Sequence, residues 1–171
     1  MAKTTNNWSA EKRGMERSFC FITGKKTKIY DIIPPEKSLG YTSKDGTIHL
    51  APEHPTMKGL DENKKKAFRR GVFTHEMLHQ VFSDFSALEK ASLRLKGPER
   101  RIFCELCNVL EDPAIEYWAA SAVSGPLLSA LRFSIAHIYK GSPNIEESKT
   151  AFGQYVSALI QFGDMGCATC C

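Results

Sequence analysis

His75-Glu76-Met77-Leu78-His79 sets two imidazoles four residues apart, with a carboxylate directly after the first. On an α-helix, residues four apart stack on one face, so both rings can reach a single metal ion. Glu76 follows His75 by about 100° around the helix axis. Its carboxylate is thereby placed at the margin of the same site, where it can hold and deprotonate a water. Zinc lowers the pKa of a water in its coordination sphere to about 7, which makes hydroxide available at neutral pH. The chemistry that suits this spacing is metal-assisted hydrolysis, with His75 and His79 as metal ligands and Glu76 as the general base. Two satisfied core histidines flanking a chance Glu are the plainer alternative. The surroundings argue against it: Phe68, Val72, Leu78, His79, Phe82 and Ser86 fall on nearly the same side as His75. Imidazoles turned toward an apolar interior need partners, and a metal supplies one.

A catalytic zinc keeps three protein ligands and one open position. The place six residues past His79, where some zinc peptidases carry a third His, holds Phe85, and Phe82 stands where their Gly would be. Asp84 lies roughly 140° off the His79 face at 100° per residue and is poorly placed. A later helix offers more. Counted at about 100° per residue, Cys104, Cys107, Asn108, Glu111, Ile115 and Trp118 share one stripe. Glu111 is the carboxylate near its centre, and an unpaired carboxylate on an otherwise apolar stripe is costly to bury. Glu111 is therefore the expected third ligand. Asp112 and Asn108 are expected to orient the ligand imidazoles by hydrogen bonding, and Glu116 is read as surface charge. Pro113 should kink this helix or open it. For the group that steadies the oxyanion, the candidates are His137, Tyr117, His49 and His54.

These side chains need elements to hold them. Asp61 is a plausible N-cap for a helix running to about Phe82, and it carries the motif. Ser86 with Glu89 reads as a capping box for a second helix. Gly97-Pro98 opens a third, from about Pro98 to Ser121, and Gly125-Pro126 a fourth that stops at Gly141. Asn144 and Glu147 suggest a fifth, ending near Gly163. The first third of the chain reads as extended or irregular. Short β-prone runs at Ile29–Ile33, Leu39–Thr42 and Thr47–Leu50 are punctuated by Pro34-Pro35 and by Asp45-Gly46, the latter a hairpin signal. The run Thr47–Leu50 is expected to form the sheet edge beside the motif helix, where an extended substrate could add as a strand. The order, a small β region followed by helices, defines an α+β class. An N-terminal segment, 1–28, is expected to precede the domain proper at 29–166, and a Cys-rich tail at 167–171 reads as frayed or truncated.

The chain's 171 residues fit one domain with a real core. Its formal charge of +4 is modest, and no strong basic cluster points to nucleic acid. Lys64, Lys65, Lys66, Arg69 and Arg70 read as a solvated helix face. No run approaches the roughly 20 apolar residues that span a bilayer, and residues 1–9 lack an apolar signal core. A cytoplasmic, membrane-free setting is expected, with thiols reduced. Cys104 and Cys107 are read as small buried residues. The distance from Cys107 to Cys167 is too long for the usual pairing of zinc knuckles.

Gly71 to Asp84 together with Asn108-Val109-Leu110-Glu111-Asp112-Pro113-Ala114-Ile115-Glu116 resembles a family of metallopeptidase domains. Members of that family precede von Willebrand factor A-like domains in bacterial and phage proteins, some of them related to cobaltochelatase subunits. Thr47-Ile48-His49-Leu50-Ala51-Pro52-Glu53 resembles its strand, and Tyr155 to Gly166 its continuation. The resemblance implies a zincin-like fold of the gluzincin kind, Zn2+ held by His75, His79 and Glu111, and Glu76 as base. It also implies a peptide or protein substrate and a von Willebrand factor A-type or ATPase partner. A non-catalytic zinc-binding module of a larger assembly is the competing expectation.

Overall fold

The computed structural model describes residues 2–140, with side chains from Asn7 onward. The expected helix near 144–163 and the cysteine tail lie outside the described residues. Within them the architecture is α+β, with five α-helices and one small sheet.

The chain opens with α1, Ala2–Thr23, and this corrects the expectation of an irregular first third. Few of its residues are strongly apolar, but those that face inward recur at helical spacing. Met15 and Phe19 are buried, with Trp8 and Ile22 packed against the same core. Glu11 on that face is buried too, and its carboxylate receives Arg69 Nε and Nη2 at 3.0 Å each. Arg69 therefore leaves the solvated face expected for the basic stretch, whereas Lys64 and Lys65 pair with nearby acids at the surface.

Three short strands follow: β1 (Ile29–Asp31), β2 (Gly40–Thr42) and β3 (Ile48–Leu50). The sheet order is β1-β3-β2, with β1 parallel and β2 antiparallel to β3. The β2–β3 connection is the expected Asp-Gly turn. Gly46 has φ +87°, and the Asp45 carboxylate accepts from the Thr47 amide at 3.0 Å. Sheet order corrects the expected edge: β3 is central, and β2 is the outer strand next to the motif helix. Ile48 and Leu50 are fully buried while His49 points to the other face, as period-2 alternation requires.

The motif helix α2, Glu62–Phe82, runs through the middle of the molecule, and its Asp61 cap accepts from the Lys64 amide at 2.9 Å. From Phe68 to Leu78 only Arg70 and His75 escape full burial. Two glycines make this crowding feasible. A Cβ at Gly71 would lie 2.2 Å from the Ala130 carbonyl oxygen, and one at Gly40 would lie 2.7 Å from Val72 Cγ1.

Helix α3, Phe85–Ser92, is capped by Asp84, which accepts from the Ala87 amide at 2.9 Å, so Ser86 is not the cap. Helix α4, Gly97–Ala122, continues through Pro113. Its buried residues are Ile115 and Ala119, while Cys104 is exposed and Cys107 partly so, contrary to the buried role expected of them. Helix α5, Gly125–Lys140, packs Ala130, Leu131 and Ser134 against α2. Among the described residues, no helix is long and apolar enough to cross a membrane.

Candidate metal centre

Helices α2 and α4 bring the chemistry together. His75 and His79, one turn apart, turn their Nε2 atoms toward each other at 3.2 Å. The Asp112 carboxylate of α4 completes the triangle, with Oδ1 3.2 Å from His79 Nε2 and 3.6 Å from His75 Nε2. Bonds of about 2.0–2.1 Å to a tetrahedral ion separate its ligand atoms by about 3.3 Å. The three observed separations scatter about that value, so the donors fit a zinc-sized ion in both type and spacing. Among the described residues, this is the group of His, Cys, Asp and Glu side chains that could hold a metal.

Glu111 stands elsewhere. Its Oε2 lies 3.6 Å from His79 Nδ1, on the far side of that ring from the convergent nitrogens. The arrangement exchanges the roles expected of two neighbours: Asp112 faces the Nε2 pair and Glu111 backs His79. The cause is a buried side of α4 that lies further round toward Asp112 than the apolar pattern indicates. Ile115 belongs to both readings, but Ala119, also buried, lies within about 20° of Asp112 and about 80° from Glu111 at 100° per residue. Asn108 is exposed.

Each imidazole is held from behind. His75 Nδ1 lies 3.3 Å from Glu116 Oε1, whose side chain is only 11% exposed, so Glu116 is not the surface charge expected of it. His79 Nδ1 lies 2.9 Å from Ser83 Oγ as well as near Glu111. A ring whose Nδ1 proton is engaged presents the Nε2 lone pair to the metal, the usual way in which outer carboxylates orient ligand histidines. The signal for Glu116 was its place four residues after Asp112 on one helical face.

Charge follows this geometry. Burial alone would lower the His75 imidazole, but hydrogen bonds to Asp112 and Glu116 outweigh it and hold the ring well above its ordinary range. Burial likewise opposes ionisation of Asp112, yet its bonds to His75 and His79 keep the carboxyl well below the usual range. Burial raises Glu76, with the two imidazoles pulling the other way. Glu76 is 8% exposed and accepts from the Thr42 backbone amide. It sits between the edge strand and the histidines, and it lines one cavity with His75, Asp112 and Glu116.

None of the four oxyanion candidates lines that cavity. His137 Nε2 bonds the Thr56 carbonyl oxygen at 2.8 Å, and its ring packs edge-on against Phe68. Tyr117 is 66% exposed. His49 is stacked between Tyr30 and Tyr41 on the opposite face of the sheet. His54 bonds Thr56 and the Lys37 carbonyl oxygen. Tyr139 and Ser134 of α5 do line the cavity, and nothing in the sequence singled them out.

Comparison with protein-family models, with curated proteins and with solved structures finds no match to this chain.

Proposed function

We propose that this chain is a zinc-dependent hydrolase of peptide bonds with a zincin-like arrangement of sheet edge and motif helix. The observation that carries the reading is the triangle of His75 Nε2, His79 Nε2 and Asp112 Oδ1, with a buried glutamate lining the same cavity. His75, His79 and Asp112 would hold the ion, and Glu116, Glu111 and Ser83 would set the ring orientations. When bound, zinc supplies Lewis acidity toward a water or a carbonyl oxygen. Glu76 supplies the base. It takes a proton from the attacking water and returns it to the leaving amine nitrogen, within a cavity whose burial already favours the protonated form.

Strand β2 supports a peptide as substrate. Its bonds to β3 run through Leu39 and Ser43: Ala51 donates to the Leu39 carbonyl at 3.0 Å, and Ser43 to the Thr47 carbonyl at 2.9 Å. Antiparallel alternation turns the backbone groups of Gly40 and Thr42 away from β3; the Gly40 carbonyl there accepts from Ser38 Oγ and the Thr42 amide donates to Glu76, which leaves the Gly40 amide and the Thr42 carbonyl for an added strand. An extended chain could pair with that edge and bring its carbonyl to the Glu76 side of the cavity.

The test combines metal analysis of purified protein with peptide cleavage by wild type and by Glu76→Gln. Gln retains an oxygen for the Thr42 amide, so the fold should persist. Zinc in both proteins with cleavage only in wild type is the expected result. Zinc bound without cleavage in either would favour the non-catalytic module, and no stoichiometric metal in wild type would remove the centre itself.

A further inference from the structure

The cavity beside the three donors has a chemically divided wall. Its acidic side is His75, Glu76, Asp112 and Glu116, whereas Leu39, Val72, Leu131, Ile135 and Ile138 make a mainly apolar side that also carries Ser134 and Tyr139. Leu131 is 1% exposed and Val72 7%, so the floor is part of the packed core. The cavity volume is about 220 Å³, below the roughly 300–1,000 Å³ of sites that enclose a whole drug-sized ligand. It has room for a side chain. No Lys or Arg lies on the wall among the described residues, and three carboxylates do. An acidic side chain seated past the metal would bring its charge among these carboxylates with no Lys or Arg beside it, a placement that desolvation makes expensive.

We infer that this cavity is a specificity pocket for a medium-sized apolar side chain, of Leu or Met size, on the substrate residue that flanks the bond attacked at the His75–His79–Asp112 centre. The inference rests on the metal-centre reading above and deepens it. Apolar area on the floor favours such a side chain, and the acidic rim rejects Asp and Glu. Helix α5 determines the selection: Leu131, Ile135 and Ile138 of the wall all belong to it, and no metal donor is among them. Selectivity should therefore be alterable from α5 while the donors stay in place.

Binding to the zinc-loaded full chain tests this without requiring turnover. The probes are hydroxamates of N-blocked glycine, leucine and glutamate, which share one metal-binding head and differ only in side chain. Isothermal titration should show the leucine compound binding at least tenfold more tightly than the glycine compound, the scale of one or more methylenes in an apolar pocket. The glutamate compound should bind no better than the glycine one. Ile135→Phe should cut the leucine advantage to less than about threefold, against the tenfold scale for wild type, and leave the affinity for glycine hydroxamate and for zinc unchanged. Equal affinities of the three compounds for wild type would overturn the pocket while leaving the metal centre intact. A preference for the glutamate compound would overturn it as well. Failure of the wild-type chain to load zinc would overturn the underlying centre, and the pocket with it. Should Ile135→Phe fail to bind zinc, Ile135→Ala serves in its place: the enlarged pocket should then extend tight binding to the phenylalanine hydroxamate, and no such extension would count against the assignment.

Discussion

Replacing Asp112 by Asn removes the carboxylate oxygen that lies 3.2 Å from His79 Nε2 and 3.6 Å from His75 Nε2. An anionic donor becomes a neutral one, and the site falls from three strong ligands to two. Loss of a residue that only orients a ligand typically costs 10–100-fold in metal affinity, or about that range. Loss of a direct ligand should reach at least about 100-fold by the same measure. Glu111→Gln, which alters a carboxylate 3.6 Å from His79 Nδ1, should stay within the lower range. The difference is readable by melting. Zinc at about 100 times the wild-type Kd stabilises the folded state by about 2.7 kcal/mol. At roughly 2–4 °C per kcal/mol for a chain of this size, the rise is about 5–11 °C. A 100-fold weaker site at the same zinc concentration gains only about 0.4 kcal/mol, or about 1–2 °C. Each variant is compared with its own chelator-treated form, so any loss of intrinsic stability cancels. A zinc shift that survives in Asp112→Asn and vanishes in Glu111→Gln would refute the assignment of donors.

Other expectations follow from the same structure. Glu116→Gln should weaken zinc binding by about 10–100-fold with little change in metal-free stability, measured by chelator competition. In metal-free protein the raised His75 contributes stability that is complete below about pH 6.5 and is lost as pH rises through its folded value. Melting of chelated protein should therefore fall with rising pH, whereas zinc-saturated protein, whose ligands must shed protons, should melt higher. A fall with pH in both forms would contradict this. Glu11→Ala, which strands the buried Arg69 guanidinium, should cost about 3–5 kcal/mol by denaturant titration. Asp84→Ala should cost about 1 kcal/mol, whereas Ser86→Ala should be close to neutral; the reverse order would assign the α3 cap to Ser86.

What could be read from the chain ahead of its coordinates depended on how strongly a local pattern repeats. Helix α2 was legible because its apolar stripe, its Asp61 cap and its motif agree, and the Asp45-Gly46 turn was legible from two residues. Helix α1 was not, because its inward face mixes Trp8, Glu11, Met15 and Phe19, and the Glu11 contribution depends on Arg69, 58 residues away. The expected third donor, Glu111, and the carboxylate set beside the two Nε2 atoms, Asp112, are neighbours on α4. One residue is about 100° of rotation; Ile115 lies about 40° from Glu111 and about 60° from Asp112, and only the burial of Ala119, about 20° from Asp112, turns the inner face toward it. Which strand lies outermost is likewise absent from any one segment: β1 pairs alongside β3, so the strand expected at the edge is the central one.

Gln80, next to His79, gives its amide nitrogen to Thr42 Oγ1 at 2.6 Å and to the Ser43 carbonyl oxygen at 2.9 Å. The clasp ties the rim of the sheet to the very turn of helix that bears the second imidazole. Strand and helix are thus held in one register, so the sheet edge and the imidazoles shift together or not at all. If the proposed centre holds zinc and a peptide adds at that edge, loosening the clasp should blunt the alignment of the peptide and leave the affinity for zinc unchanged.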